Sequence, residues 1–171
     1  MELVTPSATY LQQYLETCRE CWGKIHDNYI LHDPARYNEW RKTIFTDYKN
    51  AETGTEVPCG FVPSSTYWLT DSDTLLGVLN IRKQLSPALR NYGGTFGYFI
   101  RLSQQHRGYG RTMAMLGLEK AREMGLSEII LTCQAANTAS YRLLQKMPYI
   151  RSEKENILLY GIQQDIYRFY F

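Results

Sequence analysis

The stretch from Thr95 to Cys133 constrains the fold more than any other. TFGYFIRL (Thr95–Leu102) is rich in aromatic and branched residues and predicts a strand. QQHRGYGRTM (Gln104–Met113) follows it, polar and basic, with glycines at 108 and 110. A segment with apolar residues three and four apart then predicts a helix from about Gly108 to Met124. Gly125 stands where a helix stops and Leu126 supplies the apolar contact that accompanies such a stop. EIILTC (Glu128–Cys133) is nearly continuous in apolar residues, as a strand covered on both faces must be. Strand, glycine loop, helix, strand is a sheet with a helix lying on it.

The remaining chain supplies the other layers. Apolar residues at Tyr10, Leu11, Tyr14, Leu15, Cys18, Cys21, Trp22 and Ile25 predict a helix from Ser7 to about Tyr29. A second helix is predicted from Pro34 to about Asn50. Residues 51–65 carry Gly54, Pro58, Gly60 and Pro63 and read as a long loop. Thr66–Asp71 and Leu75–Arg82 predict a hairpin, and Lys83–Gly94 a connection. Asn137 can cap a helix to about Lys146, with strands at Tyr149–Glu153 and Ile166–Phe171 and Gly161 in the turn between them. The sum is one α/β domain over residues 1–171 (α+β by some schemes), with a central mixed, mostly antiparallel sheet and helices on both faces.

Bulk properties exclude several classes. A chain of 171 residues with 44% hydrophobic and 21% charged residues can bury a core, so disorder is not expected. A formal net charge of +2 is too weak by itself to argue for nucleic-acid binding, which would have to use Arg101, Arg107 and Arg111. Met1–Tyr10 has neither the basic start nor the apolar centre of a leader, and no apolar run reaches the roughly 18 residues of a membrane helix. The expectation is a cytoplasmic protein with no membrane partner. Cys18 and Cys21 form a CxxC without a second pair or suitably spaced histidines, so reduced core cysteines and no metal are expected.

The Gly108–Gly110 loop has two readings. It is a helix start with glycines for packing, or a cradle in which backbone N–H groups and the helix dipole converge on an anion. Arg107 and Arg111 flank the glycines and could add charge-assisted bonds to phosphate. A Walker loop is excluded because Arg111-Thr112 follows Gly110, and a GxGxxG fingerprint because position 113 is methionine.

Gln105-His106-Arg107-Gly108-Tyr109-Gly110 resembles the Gln/Arg-x-x-Gly-x-Gly/Ala signature of the GNAT superfamily of N-acetyltransferases. Asn137-x-x-Ser140 resembles that family's Asn-x-x-Ala/Ser, and VPSSTYWL with YGGTFGYFIR is similar to a bacterial subgroup of uncharacterised predicted acetyltransferases. The resemblance implies a GNAT-like acyltransferase fold and acetyl-CoA as cosubstrate. Backbone amides of Gln105, His106, Arg107, Gly108, Tyr109, Gly110 and Arg111 would hold the pyrophosphate. Main-chain groups near Tyr98 to Leu102, Ile100 and Leu102 among them, would pair with the pantetheine arm. Asn137, with Ser140 in the same motif, would reach the cofactor near its acetyl end. It also implies direct transfer to a primary amine and leaves room for a homodimer.

The resemblance weakens at the catalytic groups. Many relatives have a tyrosine acid seven residues after the asparagine, where this chain has Leu144; Tyr141 is the nearest candidate acid. Many carry a glutamate base early in the third strand, where this chain has Thr95 and Phe96. Glu153, Glu155, Asp165 and His106 are weaker alternatives, and water-relayed deprotonation needs no single base. The acceptor is expected over the first two helices, the 51–65 loop and the 83–94 connection, with Tyr29, Tyr37, Tyr67, Trp68 and Tyr92 available to line it. The missing glutamate and tyrosine also motivate an alternative, a CoA-binding regulatory module without catalysis.

Overall fold

The computed structural model describes residues 1–24, 31–159 and 161–171. Among the described residues seven strands form two sheets: β1 (Glu2–Val4), β2 (Ser64–Asp71), β3 (Thr74–Arg82) and β4 (Phe96–Ile100) in the order β1-β2-β3-β4, and β5 (Ile130–Gln134), β6 (Arg151–Leu159) and β7 (Ile162–Tyr170) in the order β5-β7-β6. Helices α1 (Leu11–Cys21), α2 (Tyr37–Trp40), α3 (Ile44–Thr53), α4 (Pro87–Asn91), α5 (Tyr109–Glu123) and α6 (Thr138–Leu144) complete the fold. The expected α/β architecture is present. Its ladders among the described residues are all antiparallel, and the sheet is divided between β4 and β5.

Two-residue alternation explains why both faces of the first sheet are apolar. Leu69, Leu79, Ile81, Phe96 and Ile100 pack with Met113, Ala114 and Leu118 of α5 on one side. Trp68, Val78 and Phe99 pack with Tyr14, Leu15 and Cys18 of α1 on the other. The hairpin register brings Trp68 opposite Val78 and Leu79 opposite Tyr98. Helix α5 approaches so closely that a Cβ on Gly117 would lie 2.9 Å from both Leu79 and Phe96 side chains. Cys18 and Cys21 are free and buried, and burial pushes the Cys18 thiol up to about 11, so it stays protonated.

Several local expectations are revised. The first helix ends at Cys21, and Trp22 turns extended; Ile25, His26 and Tyr29 lie outside the described residues. The predicted helix from Pro34 to Asn50 is broken between Trp40 and Ile44 and reaches Thr53. The connection at 83–94 holds α4, started by Ser86, whose side chain accepts from Leu89 N–H, and by Pro87 in its first turn. Strand β1 is three residues long, too short to show a period. Strands β6 and β7 are longer than expected because β6 is mostly exposed and charged, paired across the hairpin by Lys154–Asp165 and Arg168–Glu155.

The chain entering β4 bonds to β5 at Thr95. Thr95 N–H donates to the Ile130 carbonyl at 2.6 Å, and Ile130 N–H donates to Thr95 Oγ1 at 3.0 Å. Beyond this contact no ladder joins β4 to β5. The approach requires glycine next door: Gly94 has φ +59°, and a Cβ there would sit 2.3 Å from the Ile130 carbonyl oxygen. Gly94→Ala is therefore expected to destabilise by about 2–4 kcal/mol, combining overpacking with left-handed strain. Gly125→Ala, at φ +79° in open space, should cost only about 1–2 kcal/mol. Urea unfolding of the two variants checks the difference.

Candidate functional site

Past the Thr95–Ile130 contact the strands part, and a cleft of about 820 Å³ opens between β4, β5, α5 and α6. Phe96, Tyr98 and Ile100 line it from β4, and Thr132, Cys133 and Gln134 from β5. Across it the Tyr98 hydroxyl lies 3.3 Å from Ser140 Oγ of α6. Among the described residues no Asp or Glu lines the cleft, whereas Lys24, Arg111, Arg142 and Lys146 do. None of these four cations has a carboxylate within ion-pair distance among the described residues. Such a site attracts a polyanion.

The glycine loop forms the floor of the charged end. The chain leaves β4 through a single 3₁₀ turn (Leu102–Gln104), and the Gln105 side chain turns back to donate to the Ile100 carbonyl at 3.1 Å. His106 (φ 62°) and Gly108 (φ 85°) are both left-handed, so the backbone coils around a concave row of amides before α5 begins. Gln105 N–H donates to Leu102 and Arg111 N–H to Gly108. The N–H groups of His106, Arg107, Gly108, Tyr109 and Gly110 have no acceptor among the described residues. The free amides thus span five residues rather than the seven expected, at the positive end of a 15-residue helix. The two glycines differ in role. Gly108 is set by its dihedral and faces open space, while a Cβ on Gly110 would approach Leu143 of α6 to 3.1 Å.

The sequence-predicted residues separate clearly. Ile100, Leu102, Gln105, His106, Gly108, Tyr109, Gly110, Arg111, Asn137 and Ser140 all border the cleft; Arg107 is exposed beside it. Asn137 caps α6, its side chain accepting from Ser140 N–H at 3.1 Å. Tyr141 does not border the cleft: its ring packs 4.3 Å from that of Tyr167, and its hydroxyl accepts from Gln145. Leu144 is in the core. Glu153, Glu155 and Asp165 lie on the β6–β7 hairpin in ion pairs. Sequence reasoning passed over Lys24, Arg142 and Lys146, because isolated basic residues carry no local signal until the fold collects them.

A second cavity of about 920 Å³ lies where an acceptor was expected, between α3, the 56–62 loop, β2, β3 and the α4–β4 connection. His32, Asp47, Tyr48, Phe61 and Asn80 are among its walls. Burial lowers the His32 pKa, and its Nδ1 sits 2.8 Å from the Tyr14 hydroxyl. Of the expected aromatics Tyr92 lines this cavity; Trp68 and Tyr67 are buried in the sheet core and Tyr37 packs on Trp40. Tyr92, Gly93 and Gln134 border both cavities, so this is where the two spaces adjoin.

Glu20 of α1 fixes the loop from behind. Its carboxylate accepts from Ser103 N–H at 2.5 Å and from Ser103 Oγ and Arg101 Nε, both at 3.1 Å. Partial burial favours its neutral form, but the bonds from Ser103 and Arg101 outweigh that and its pKa is lowered. A carboxyl lowered in this way contributes stability above its unfolded pKa of about 4.3 and loses it as pH falls through the folded value. Glu20→Ala is expected to cost about 1–3 kcal/mol at pH 7. The gap in melting temperature between variant and wild type should narrow as pH falls below about 4.3 and through the lowered folded value. Gly108→Val, which forces a branched side chain into the left-handed region at the cradle, should weaken the CoA binding that the sequence resemblance implies at least about tenfold by calorimetry while preserving the circular dichroism spectrum.

The geometry agrees with comparison to known proteins. The sequence profile of the Acetyltransferase (GNAT) family matches residues 11–149. A chimera of the Vibrio cholerae spermidine N-acetyltransferase with hSSAT superposes with a TM-score of 0.63 at 15% identity, covering 99% of this chain and 95% of that one. RimL, a ribosomal L7/L12 α-N-protein acetyltransferase solved in complex with coenzyme A, superposes with a TM-score of 0.65 at 15% identity, covering 99% and 92%. No curated protein sequence matches. At such identities the two structures attest the fold alone, whereas the profile spans most of the chain. With its split sheet and amide-lined loop, the chain belongs to the GNAT family of acetyltransferases.

Proposed function

We propose that this protein transfers the acetyl group of acetyl-CoA directly to a primary amine, both substrates being bound at once. The observation that carries the reading is the meeting of two cavities at Tyr92, Gly93 and Gln134. One is cationic and floored by free amides, which suits the phosphates of CoA; the other approaches the junction from the opposite side and is open to a different molecule. In this reading the amides of His106 to Gly110 take the pyrophosphate, and Arg111, Arg142, Lys146 and Lys24 supply counter-charge. The pantetheine arm follows β4 past Ile100 and Leu102 into the gap. Asn137 and Ser140 flank it from α6. Holding thioester and amine together lowers the barrier through proximity, which requires no covalent acyl-enzyme.

That no carboxylate among the described residues lines the cleft favours a second reading, a CoA-binding module without chemistry. One experiment separates the two: thiol release is followed with acetyl-CoA against a panel of primary amines while CoA affinity is measured by calorimetry. Transfer predicts thiol release that depends on the amine and saturates with it. Tight CoA binding with no release on any amine would establish the module instead.

A further inference from the structure

A primary amine is a broad class, and the charge of the second cavity narrows it. This inference rests on the transfer reading. The two cavities carry opposite charge. The CoA side holds Lys24, Arg111, Arg142 and Lys146. The other side holds Asp47, from α3, and Glu56, from the loop after it. Among the described residues Arg82 is the sole Lys or Arg in that second wall. It is buried, and its Nη1 donates to the carbonyls of Gly93 (2.9 Å) and Gly94 (2.8 Å).

Neither carboxylate is neutralised by the chain around it. Asp47 Oδ2 accepts from Thr43 Oγ1 and Glu56 Oε2 from Asn50 Nδ2, both at 2.8 Å. Both donors are uncharged. Among the described residues no Lys or Arg lies within ion-pair distance of Asp47 or Glu56. His32 shares the wall but supplies no counter-charge, because burial lowers its pKa and keeps the ring neutral at pH 7. Both carboxylates are exposed, so they stand where the cavity opens to solvent. Beside them the wall is apolar and aromatic: Phe61, 58% exposed, with Tyr48, Val62 and Leu89. Such a wall suits a hydrocarbon stem that ends in a cation.

We infer that the acceptor is an amine carrying a second positive charge, which Asp47 and Glu56 hold while the reacting nitrogen reaches the junction at Tyr92, Gly93 and Gln134. The two ends of such a molecule meet different elements. The carboxylates belong to α3 and the loop beyond it, and the junction belongs to the α4–β4 connection and β5. Two unneutralised carboxylates attract a dication and repel an acceptor that bears a carboxylate of its own. They repel polyanionic CoA as well, so each substrate is drawn to its own side of the junction. A distal ammonium also lowers the pKa of the reacting nitrogen, which raises the share of the neutral form that attacks the thioester.

The test is thiol release from acetyl-CoA with straight-chain diamines from trimethylenediamine to hexamethylenediamine, each beside the monoamine and the amino acid of equal length. At the best length, kcat/KM for the diamine is expected to exceed that for the monoamine about tenfold, as two exposed ion pairs acting together supply, and that for the amino acid by more. Raising the salt concentration should narrow this preference. In the Asp47→Asn/Glu56→Gln double variant the diamine advantage should fall to within about twofold. Its CoA dissociation constant by calorimetry should stay at the wild-type value, which also shows that the variant is folded. An active wild type that uses every monoamine as well as the matching diamine overturns this inference alone, and so does a double variant that keeps the wild-type preference. Wild type that releases no thiol with any amine overturns the transfer reading, and the acceptor class with it.

Discussion

The contact between Thr95 and Ile130 governs the molecule. Two hydrogen bonds close the sheet at that point, and everything past it is held apart. Two strands that continued to pair would leave no cleft, while strands that never met would leave the two sheets without a fixed angle. Gly94 permits the contact, and Arg82 and Thr132 secure Gly93, which precedes it. Burying a guanidinium is costly unless it is hydrogen-bonded, so the Arg82 bonds to two carbonyls are both a requirement of its burial and the means of fixing the junction. The same few residues therefore determine where the sheet splits and where two ligands could face one another.

Charge follows from that geometry. The cleft gathers cations from α5, α6 and the end of α1, elements far apart in sequence, and presents five amides without acceptors among the described residues. A cradle of this kind carries a standing cost, since unpaired amides and like charges are better satisfied elsewhere. His106 adds to it by adopting a left-handed dihedral without being glycine. The Glu20 carboxylate offsets part of the strain by tying the 101–103 turn to α1. The arrangement makes sense for a loop whose partner is an anion.

Much of this was legible in the sequence, and the reason is local. The glycine loop, the helix ending at Gly125 and the strand at Ile130–Gln134 each announce themselves within a few residues. Asn137 was readable as a cap, and the long loop and the connection read from the sequence both contribute walls to the second cavity. What stayed hidden depends on distance in sequence. Nothing near Arg82 indicates that it reaches Gly93 and Gly94, and nothing near Glu20 points to Ser103. Tyr141 looked suited to catalysis because it follows Asn137 closely, yet α6 turns it toward Tyr167. Tyr92 was one aromatic among several until the fold placed it between two cavities.

The central proposal is that CoA binds in the opening between β4 and β5, floored by the amides of His106 to Gly110. Amide hydrogen exchange read residue by residue, with and without CoA, addresses it directly. The account predicts that these five amides, exchanging freely in the unliganded protein, become protected together when CoA is added, along with residues of β4 bordering the gap. Protection that appeared elsewhere while His106–Gly110 exchanged as before would contradict it.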